Sequence, residues 1–399
     1  MTAALGSVCT GYGGLEMALA LAGWNVELSW LSELDADASK ILDYHHPDVP
    51  NLGDFTATDW SRVAKVDVIT GGIPCQEWSL AGQRKGSEGE RDLWPVRKTG
   101  KDGAPRRGAV DMLREIRPRV FVMENVASLV NAEKGTAWAT ILTDLHDLGY
   151  NAGWVTIGAC RVGACHHRHR VFLIASLGDV LPPEGLLFGV PLAAAAKWPT
   201  SGLMAGGQVW PLDIEVCGAP VQASNMLSTP TATAYGNNQS PSKGAAVRPP
   251  LSQVILGQML PTPRASDAEK GGPNQRGSSG DVMLPAAVQP GRFGQYEQAV
   301  RRHEQVFGVP APEPTEPGRQ GKPRLSPAFP EWMMCLPPGW LTDLVGDPKK
   351  DTTRITRNAA IKAAGNGVNP MQGAAAILLL APYMPYLMPA TVQELGVAA

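Results

Sequence analysis

The sequence lacks a continuous apolar run of about 18 residues, which is the length that a membrane-spanning helix requires. Its longest apolar stretch, residues 373–387, is shorter and is interrupted by Pro382 and Pro385. Residues 1–21 contain no Lys or Arg, and so do not show the basic start of a secretory signal peptide. We therefore expect a protein without a membrane span that stays in the cytoplasm.

Cysteine is also scarce, with six residues in a chain of 399. The cysteines are scattered and form no disulfide framework, which suits a reducing compartment. A cluster of possible zinc ligands comprises Cys160, Cys165, His166, His167 and His169. No second Cys or His pair at a finger-like spacing supports zinc binding, so we predict no metal site. A single cysteine with the right surroundings is instead a candidate nucleophile.

The chain has no strong net charge, only −2 at pH 7, but its charges are unevenly distributed. Residues 1–60 hold nine acids and one base, whereas residues 82–119 hold eleven Lys and Arg and six acids. The acidic stretch suits a cationic ligand. The basic stretch suits a polyanion such as a nucleic acid.

Strands and helices alternate through residues 1–176, which we interpret as the first lobe. The predicted strands are 4–9, 26–31, 66–70, 119–123, 155–158 and 170–175, and the predicted helices are 15–22 and 36–44, the second capped by Asp35. This alternation predicts an α/β fold with a Rossmann-like, mostly parallel sheet. In such folds ligands bind beyond the carboxyl ends of the strands.

The 44 Gly and 35 Pro residues imply long irregular connections. They are frequent in residues 177–323, which we predict to form a second, irregular lobe, while residues 324–399 return to the first lobe and include a helix at 374–380. A weak Thr-Pro repeat occurs at 198–201, 227–230 and 260–263. It marks either simple turns or a binding repeat, and the sequence leaves both interpretations open.

The segment 11–14, Gly-Tyr-Gly-Gly, follows the first predicted strand and opens a helix. Its glycines allow a ligand to approach the backbone closely, although a tight turn without a ligand has the same pattern. Glu33 ends the next strand, where a carboxylate can accept both hydroxyls of a ribose. Asp54 is a further acid, which suits an adenine amino group and a cationic sulfonium better than a phosphate. Together these residues predict a nucleoside-containing cationic cofactor.

The segment 71–76, Gly-Gly-Ile-Pro-Cys-Gln, follows a strand directly and places the thiol of Cys75 on a constrained loop. A thiolate adds well to an electron-poor ring carbon, and Arg84 and Lys85 would favour the charged form. The alternative is a structural cysteine that packs as a small hydrophobe. Pro74 and the two glycines favour the nucleophile, because they shape a loop and not a core.

Glu124 ends the predicted strand 119–123. The apolar residues before it would bury its side chain in part, which favours a carboxyl group that holds or delivers a proton near neutral pH. The alternative is a solvated strand end or a helix N-terminal acid. Considered together, the glycine turn, Cys75 and Glu124 predict an active site.

Five segments, in this order, resemble the motifs of the DNA cytosine-C5 methyltransferase family, including its phage members. They are Gly-Tyr-Gly-Gly at 11–14, Pro-Cys-Gln at 74–76, Glu-Asn-Val at 124–126, Arg-His-Arg at 168–170 and Gly-Asn-Gly-Val at 365–368. The resemblance covers residues 1–175 and 324–380. It implies the fold of S-adenosylmethionine-dependent methyltransferases, S-adenosylmethionine as cofactor, duplex DNA as partner, and a target-recognition lobe at 177–323.

The resemblance also implies roles for single residues. Cys75 corresponds to the nucleophile that attacks cytosine C6, Glu124 to the acid that engages ring N3, and Arg168 and Arg170 to the arginines that hold the flipped base. The implied cofactor contacts are Cys9, Gly11, Tyr12, Gly14, Glu33, Leu34, Asp54, Leu93, Asn366 and Val368. The chain departs from the family pattern at Cys9, usually Phe, at His166, usually Gln, and at Gly367, often Ser.

DNA contacts are predicted from side-chain chemistry and position. Those near the nucleophile are Gln76, Arg84 and Lys85, and those in the second lobe are Arg264, Asn274, Gln275 and Arg276. The second group has side chains suited to guanine and adenine edges. Its alternative is an ordinary solvated loop.

The implied reaction is methyl transfer to C5 of a flipped cytosine through a covalent bond between Cys75 and C6. Two alternatives remain at this point. An RNA cytosine-5 methyltransferase would share the catalytic lobe, but the long second lobe favours a reader of duplex DNA. A catalytically silent DNA-binding protein would not need Cys75, Glu124 and the glycine turn together. No inference about a partner restriction endonuclease follows from the sequence.

Overall fold

A computed structural model describes most of the first lobe and the C-terminal segment. The described residues are 2–73, 94, 107–181, 189–194, 198–214, 259–268, 276–277, 280–288, 293, 296–318, 321 and 323–384. Seven predicted site residues lie outside them, namely Cys75, Gln76, Arg84, Lys85, Leu93, Asn274 and Gln275.

The central element is a nine-stranded sheet with the order β2-β1-β3-β4-β6-β5-β8-β9-β7. Its strands are β1 (Ala3–Val8), β2 (Val26–Ser32), β3 (Val68–Gly71), β4 (Val120–Val126), β5 (Asn151–Gly158), β6 (His169–Ser176), β7 (Val190–Pro191), β8 (Ser201–Ala205) and β9 (Gln208–Pro211). A separate antiparallel pair consists of β10 (Thr315–Pro317) and β11 (Pro323–Leu325).

The strands β2, β1, β3 and β4 are neighbours and run parallel. The strand β6 lies between β4 and β5 and runs antiparallel to both, as β8 does to β5 and β9. Six of the nine strands therefore share one direction, namely β1 to β5 and β9. The predicted α/β fold with a mostly parallel sheet is confirmed.

Nine described α-helices accompany the sheet. They are α1 (Gly14–Leu21), α2 (Ala36–His45), α3 (Ala109–Ile116), α4 (Thr136–Asp147), α5 (Leu284–Ala287), α6 (Glu297–Phe307), α7 (Ala328–Met333), α8 (Arg357–Asn366) and α9 (Pro370–Leu380). Asp35 caps α2 as predicted, since its side chain accepts from the backbone N–H groups of Asp37 and Ala38. Within the described ranges, none of the helices combines the length and apolarity needed to cross a bilayer.

Apolar residues cover both faces of the sheet, because successive side chains of a strand point to opposite sides. In β4, Phe121 and Met123 belong to a core shared with α3 and α4, whereas Val120 and Val122 belong to a core shared with α1 and α9. The helix α9 packs on α1 and β5. In such layered folds ligands bind at the carboxyl edge of the parallel strands.

The sheet is longer than the sequence pattern predicts. The strand β6 was expected to complete it near residue 176, but β8 pairs with β5, and β9 and β7 follow. Gly202 makes this possible, because a Cβ atom there would lie 2.3 Å from the ring of Trp154. The indole N–H of Trp154 also donates to the Pro199 carbonyl at 3.1 Å. Part of the predicted second lobe therefore extends the sheet of the first.

Both described copies of the Thr-Pro repeat form backbone hydrogen bonds with the first lobe, one with β5 and one with the segment between β5 and β6. In the copy at 198–201, the Thr200 carbonyl accepts from the N–H of Thr156 at 2.9 Å. In the copy at 260–263, the N–H of Leu260 donates to the Cys165 carbonyl at 2.9 Å. The copy at 227–230 lies outside the described residues. These contacts favour a structural role for the two described copies.

Two buried histidines, His166 and His303, connect distant parts of the chain. A ring nitrogen of His166 lies 3.0 Å from the Met333 carbonyl, and Nδ1 of His303 accepts from the N–H of Cys165 at 3.2 Å. Burial lowers the pKa of His166 to about 3 and that of His303 to about 3. Both rings are therefore neutral in the folded protein at neutral pH.

We expect the folded protein to lose stability as the pH falls below about 6.5. The unfolded chain takes up a proton on each histidine near its ordinary pKa, whereas the fold resists protonation until about pH 3. Each histidine then lowers the free energy of unfolding by up to about 1.4 kcal/mol per pH unit within this window. Urea unfolding at pH 7, 6 and 5 measures the loss, and His166→Gln should reduce its slope.

The matched control is His146→Gln, because His146 is an exposed residue of α4. This variant should keep the slope of the parent protein. An unchanged slope in His166→Gln would show that His166 does not contribute to the acid sensitivity.

Candidate active site

The carboxyl ends of four neighbouring strands bring the predicted functional residues to one edge of the sheet. Cys9, Glu33 and Gly72 directly follow β1, β2 and β3, and Glu124 lies near the end of β4. Parallel strands that end together place such residues side by side. The structure therefore brings these four residues to the same edge of the sheet.

The glycine turn is held by Glu33. One carboxylate oxygen of Glu33 accepts from the N–H of Gly11 at 2.8 Å, and the other accepts from the N–H of Asp35 at 2.9 Å. Gly11 has a φ of 62°, a conformation that favours glycine. Each carboxylate oxygen retains a second acceptor position. Glu33 can thus fix the turn and still accept hydroxyl groups from a ligand.

Two acidic residues, Glu33 and Asp54, lie close to Cys9 at the start of the glycine turn. Burial, and then the charges of Glu33 and Asp54, raise the pKa of the Cys9 thiol well above its usual value, so Cys9 stays protonated. One oxygen of Asp54 accepts from both the N–H and the hydroxyl of Thr56, at 2.8 and 2.7 Å. Leu34 lies next to Glu33 with 72% of its surface exposed. This combination of acids and an exposed apolar side chain suits a cationic ligand with a flat ring.

Tyr12 and Gly14 connect the glycine turn to the C-terminal segment. The buried hydroxyl of Tyr12 donates to the Val368 carbonyl at 2.6 Å. A Cβ atom at Gly14 would lie 2.4 Å from that same carbonyl oxygen, so only glycine permits this approach. Asn366, at the end of α8, is exposed. The structure therefore brings the two ends of the predicted cofactor set together.

Glu124 and Arg170 form the centre of the site. Nε of Arg170 lies 2.7 Å from a carboxylate oxygen of Glu124, which is 9% exposed. The pairing of β4 with β6 places the two residues on neighbouring strands, because Val126 lies opposite Arg170. An arginine beside a nearly buried carboxylate can orient it and can also donate to a ligand oxygen.

Asn125 connects this centre to the loop that leads to Cys75. Its side-chain amide donates to the Ile73 carbonyl at 3.1 Å, and Ile73 stands two residues before Cys75 in the sequence. Asn125 is 4% exposed, so this hydrogen bond is buried. The sequence pattern does not single out this role, although Asn125 directly follows Glu124.

Arg168 makes different contacts from Arg170. Its guanidinium donates to the carbonyls of Gly365, Asn366 and Gly367, and not to Glu124 in the described structure. Burial and the neighbouring Arg170 lower the pKa of Arg168 to about 9, which keeps it charged at neutral pH. The two arginines of the motif thus lie in one region but contact separate groups.

Two glutamates near the site, the partly buried Glu16 and the buried Glu331, were not found from the sequence. The hydroxyl of Thr70, in β3, donates to Glu16 at 2.5 Å, and burial raises the pKa of Glu16. Glu331 accepts from the N–H groups of Gly339, Leu341 and Thr342 and from the Thr342 hydroxyl. The position of Glu16, two residues after the last glycine of the turn, is a signal that could have identified it. Glu331 has no comparable signal.

The loop held by Glu331 reaches the glycine turn through Trp340. The indole N–H of Trp340 donates to the Tyr12 carbonyl at 2.9 Å. Its ring stacks on His45, with ring centroids 3.5 Å apart and an angle of 3° between the planes. The C-terminal segment therefore supports the turn from a second direction.

The described DNA-contact candidates make local interactions. Arg264 lies 2.7 Å from Asp281, and the guanidinium of Arg276 donates to the Gly280 carbonyl at 2.9 Å. The described ranges contain no group of three or more His, Cys, Asp or Glu side chains arranged to hold a metal ion.

A comparison with protein families gives a match over residues 4–184, to the model described as C-5 cytosine-specific DNA methylase. Residues 4–184, just under half of the chain, are therefore similar to this methylase family. The matched range includes the glycine turn, Cys75, Glu124, Arg168 and Arg170. The match confirms the predicted family resemblance over the range that holds the first four of the five ordered motifs, and the motif at 365–368 lies outside it.

Two relatives show how far the similarity extends. The orphan methyltransferase M.Rho11sI of Bacillus phage rho11s is 31% identical over 177 residues, which cover 44% of this chain and 33% of the relative. The type II methyltransferase M.NgoBV of Neisseria gonorrhoeae is 29% identical over 171 residues, which cover 41% of this chain and 38% of the relative. The matched part of the chain thus spans only about a third of the length of these curated relatives.

A comparison with solved structures supports the fold. A crystal structure of a mutant DNMT2 from Spodoptera frugiperda superposes with a TM-score of 0.50 and 14% sequence identity. The match covers 94% of this chain and 99% of that one. At this identity the similarity concerns the fold alone.

Proposed function

We propose that the protein transfers a methyl group from S-adenosylmethionine to C5 of a flipped cytosine in duplex DNA, through a covalent bond between Cys75 and C6. The observation that carries this proposal is the pair Glu124–Arg170, which lies on the same sheet edge as the Glu33-bound glycine turn. A carboxyl group that can engage a base, next to a turn that can hold the cofactor, suits the transfer of a methyl group to a cytosine ring. The methylase family match over residues 4–184 supports the cytosine substrate.

The residues around the glycine turn fit S-adenosylmethionine. Glu33 would accept the ribose hydroxyls, Asp54 would face the adenine amino group, and exposed Leu34 would cover an adenine face. The charges of Glu33 and Asp54 suit a cation, and the Gly11 turn admits a ligand close to the backbone. When bound, S-adenosylmethionine supplies an electrophilic methyl group.

The cytosine must leave the duplex before these residues reach it, at an unstacking cost of a few kcal/mol. Arg170 would donate to the base, and Glu124 would engage ring N3 and stabilise charge there. The Cys75 thiolate forms a bond to C6, which makes C5 electron-rich enough to take the methyl group. Loss of the C5 proton then breaks the bond between sulfur and C6, restoring the aromatic ring and the thiolate.

The proposed partner is double-stranded DNA, with residues 177–323 as the region that reads its sequence. Relatives named as type II methyltransferases support a role in restriction-modification. Specificity requires side chains that reach base edges, whereas phosphate contacts position the protein. The basic stretch 82–119 suits the phosphate contacts.

DNA in which 5-fluorocytosine replaces cytosine should trap the protein covalently, because fluorine at C5 blocks the final proton loss. Full replacement by polymerase chain reaction includes every possible target site. The expected result is a denaturation-resistant complex that requires added S-adenosylmethionine. The Cys75→Ala variant serves as the control and should form none.

The same experiment separates the alternatives. A trapped complex with 5-fluorocytosine RNA, and none with DNA, would contradict a DNA substrate. Methyl transfer to ordinary DNA without any trapped complex would contradict the covalent route.

Alanine substitutions should separate sequence reading from general attraction to DNA. Alanine at Arg264, Asn274, Gln275 and Arg276 should change which sites are methylated, because these side chains suit base edges. Alanine at Arg84 and Lys85 should weaken methylation at all sites and reduce the salt slope of binding by about one per lost phosphate contact. Bisulfite sequencing of a methylated random-sequence library measures the first effect, and salt titration measures the second. Unchanged site choice in the first variant would remove those residues from recognition.

A further inference from the structure

We propose that Arg168 is a positioning residue for the cofactor side of the site, and that it does not hold the flipped base. It holds the cofactor strip, which we define as residues 365–368. This inference rests on the proposed methyl transfer from S-adenosylmethionine. It assigns the two arginines of the Arg-His-Arg motif to different steps.

Both terminal nitrogens of the Arg168 guanidinium donate to backbone carbonyls, while its buried Nε has no hydrogen-bond partner in the described structure. Its Nη1 donates to the Gly365 carbonyl at 3.1 Å, and its Nη2 donates to the carbonyls of Asn366, at 3.4 Å, and Gly367. The residue is 3% exposed. A cytosine oxygen or a phosphate that bound the terminal nitrogens would have to displace these carbonyls from a buried position, at the cost of leaving them without a donor.

The end of helix α8 explains why a buried arginine is stable there. The last carbonyls of a helix lack partners within the helix and carry partial negative charge. The helix α8 ends at Asn366, so two of the carbonyls that Arg168 contacts belong to its last turn. Arg168 thus satisfies these carbonyls, and they compensate its charge.

The glycine turn also contacts the cofactor strip, through Tyr12. The hydroxyl of Tyr12 donates to the Val368 carbonyl at 2.6 Å, and a Cβ atom at Gly367 would lie 1.9 Å from the Tyr12 ring. Asn366 and Val368 are two of the residues expected to contact the cofactor. A shift of the strip would therefore move two of the expected cofactor contacts.

The backbone of Arg168 is fixed as well. Its N–H donates to the Thr262 hydroxyl at 3.1 Å, and its carbonyl accepts from the side-chain amide of Gln372 at 2.8 Å. Arg168 has a φ of 29°, in the left-handed region, which breaks the regular strand conformation just before β6. Arg168 thus lies outside the regular strand β6 that contains Arg170, and the two side chains contact different groups.

Two matched variants, Arg168→Lys and Arg170→Lys, test the assignment in the full-length protein. Calorimetry gives the Kd for S-adenosylhomocysteine and fluorescence anisotropy gives the Kd for duplex DNA, while initial rates give kcat and the KM for S-adenosylmethionine. Arg168→Lys should weaken S-adenosylhomocysteine binding about tenfold or more and keep DNA affinity within about twofold. Arg170→Lys should lower kcat with cofactor affinity nearly unchanged. A DNA or kcat defect in Arg168→Lys with normal cofactor affinity would overturn the proposal.

A second variant keeps the test valid if Arg168→Lys does not fold. Tyr12→Phe removes only the hydroxyl that contacts the cofactor strip from the glycine turn, so it should also weaken S-adenosylhomocysteine binding and raise the KM. Normal cofactor affinity in Tyr12→Phe would contradict control of the cleft by the strip. Wild-type protein that binds S-adenosylhomocysteine without methylating DNA would refute the proposed function, while the binding comparison would still decide the role of Arg168. Wild-type protein without cofactor binding would refute both.

Discussion

Replacing Cys75 with Ser is expected to lower methyl transfer by about 10⁴-fold or more, equivalent to about 5 kcal/mol in the activation barrier. At neutral pH a few per cent of an ordinary cysteine is thiolate, whereas a serine hydroxyl is hardly ionised and is a weaker nucleophile. Without the bond to C6, C5 of cytosine does not become electron-rich enough to take the methyl group. Incorporation of tritiated methyl into DNA measures the loss.

The affinity for the cofactor shows whether the loss of methyl transfer in Cys75→Ser comes from the chemical step or from a damaged cofactor site. The cofactor contacts proposed from the described structure lie on the glycine turn, on Glu33 and on the cofactor strip, so Cys75→Ser should keep the Kd for S-adenosylhomocysteine within about twofold. The matched control is Cys160→Ser, which should retain activity. Wild-type turnover by Cys75→Ser would remove Cys75 from the mechanism.

Replacing Glu124 with Gln should slow the chemical step by about 10² to 10⁴-fold, as expected when a positioned acid or base is lost. The glutamine amide has nearly the same shape as the carboxyl group, but it has no acidic proton and no negative charge. In the parent protein, a carboxylate oxygen of Glu124 lies 2.7 Å from Nε of Arg170. The change therefore acts on stabilisation at N3 and much less on the fold. Single-turnover rates compared with the Kd for DNA separate these effects.

The exposed Glu115 of α3 offers a matched control, because Glu115→Gln makes the same chemical change outside the site. That variant should methylate DNA at the parental rate. If Glu124→Gln weakened DNA binding as much as it slowed the chemical step, Glu124 would be a binding or folding residue instead.

The sequence predicts the parts of this site that depend on local patterns. Apolar runs ending in a polar or glycine residue identified the strands before Cys9, Glu33 and Gly72, because strand periodicity and glycine turns are short-range properties. Their common edge follows from parallel topology, which the alternation of strands and helices indicates. The motif order then supported the family resemblance, and the match over residues 4–184 confirmed it.

Other features depend on contacts between distant residues and have no local signal. The hydrogen bond between Tyr12 and Val368 joins positions 356 residues apart, and the sequence pattern gives no direction for the Arg168 side chain. The strands β8 and β9 are short and are joined at Gly206 and Gly207, so they appear as an irregular segment until they pair with β5. Long-range pairing decides such elements, and local propensity does not.

Bisulfite sequencing of DNA from cells that express the full chain tests the central claim most directly. Cells that carry the Cys75→Ser variant provide the matched background. Cytosine-C5 methylation protects a base from conversion, so protected cytosines are expected within a recurrent sequence context, in the wild-type sample only. Complete conversion of every cytosine in cells that contain soluble wild-type protein, or equal protection with the Cys75→Ser variant, would contradict the central claim.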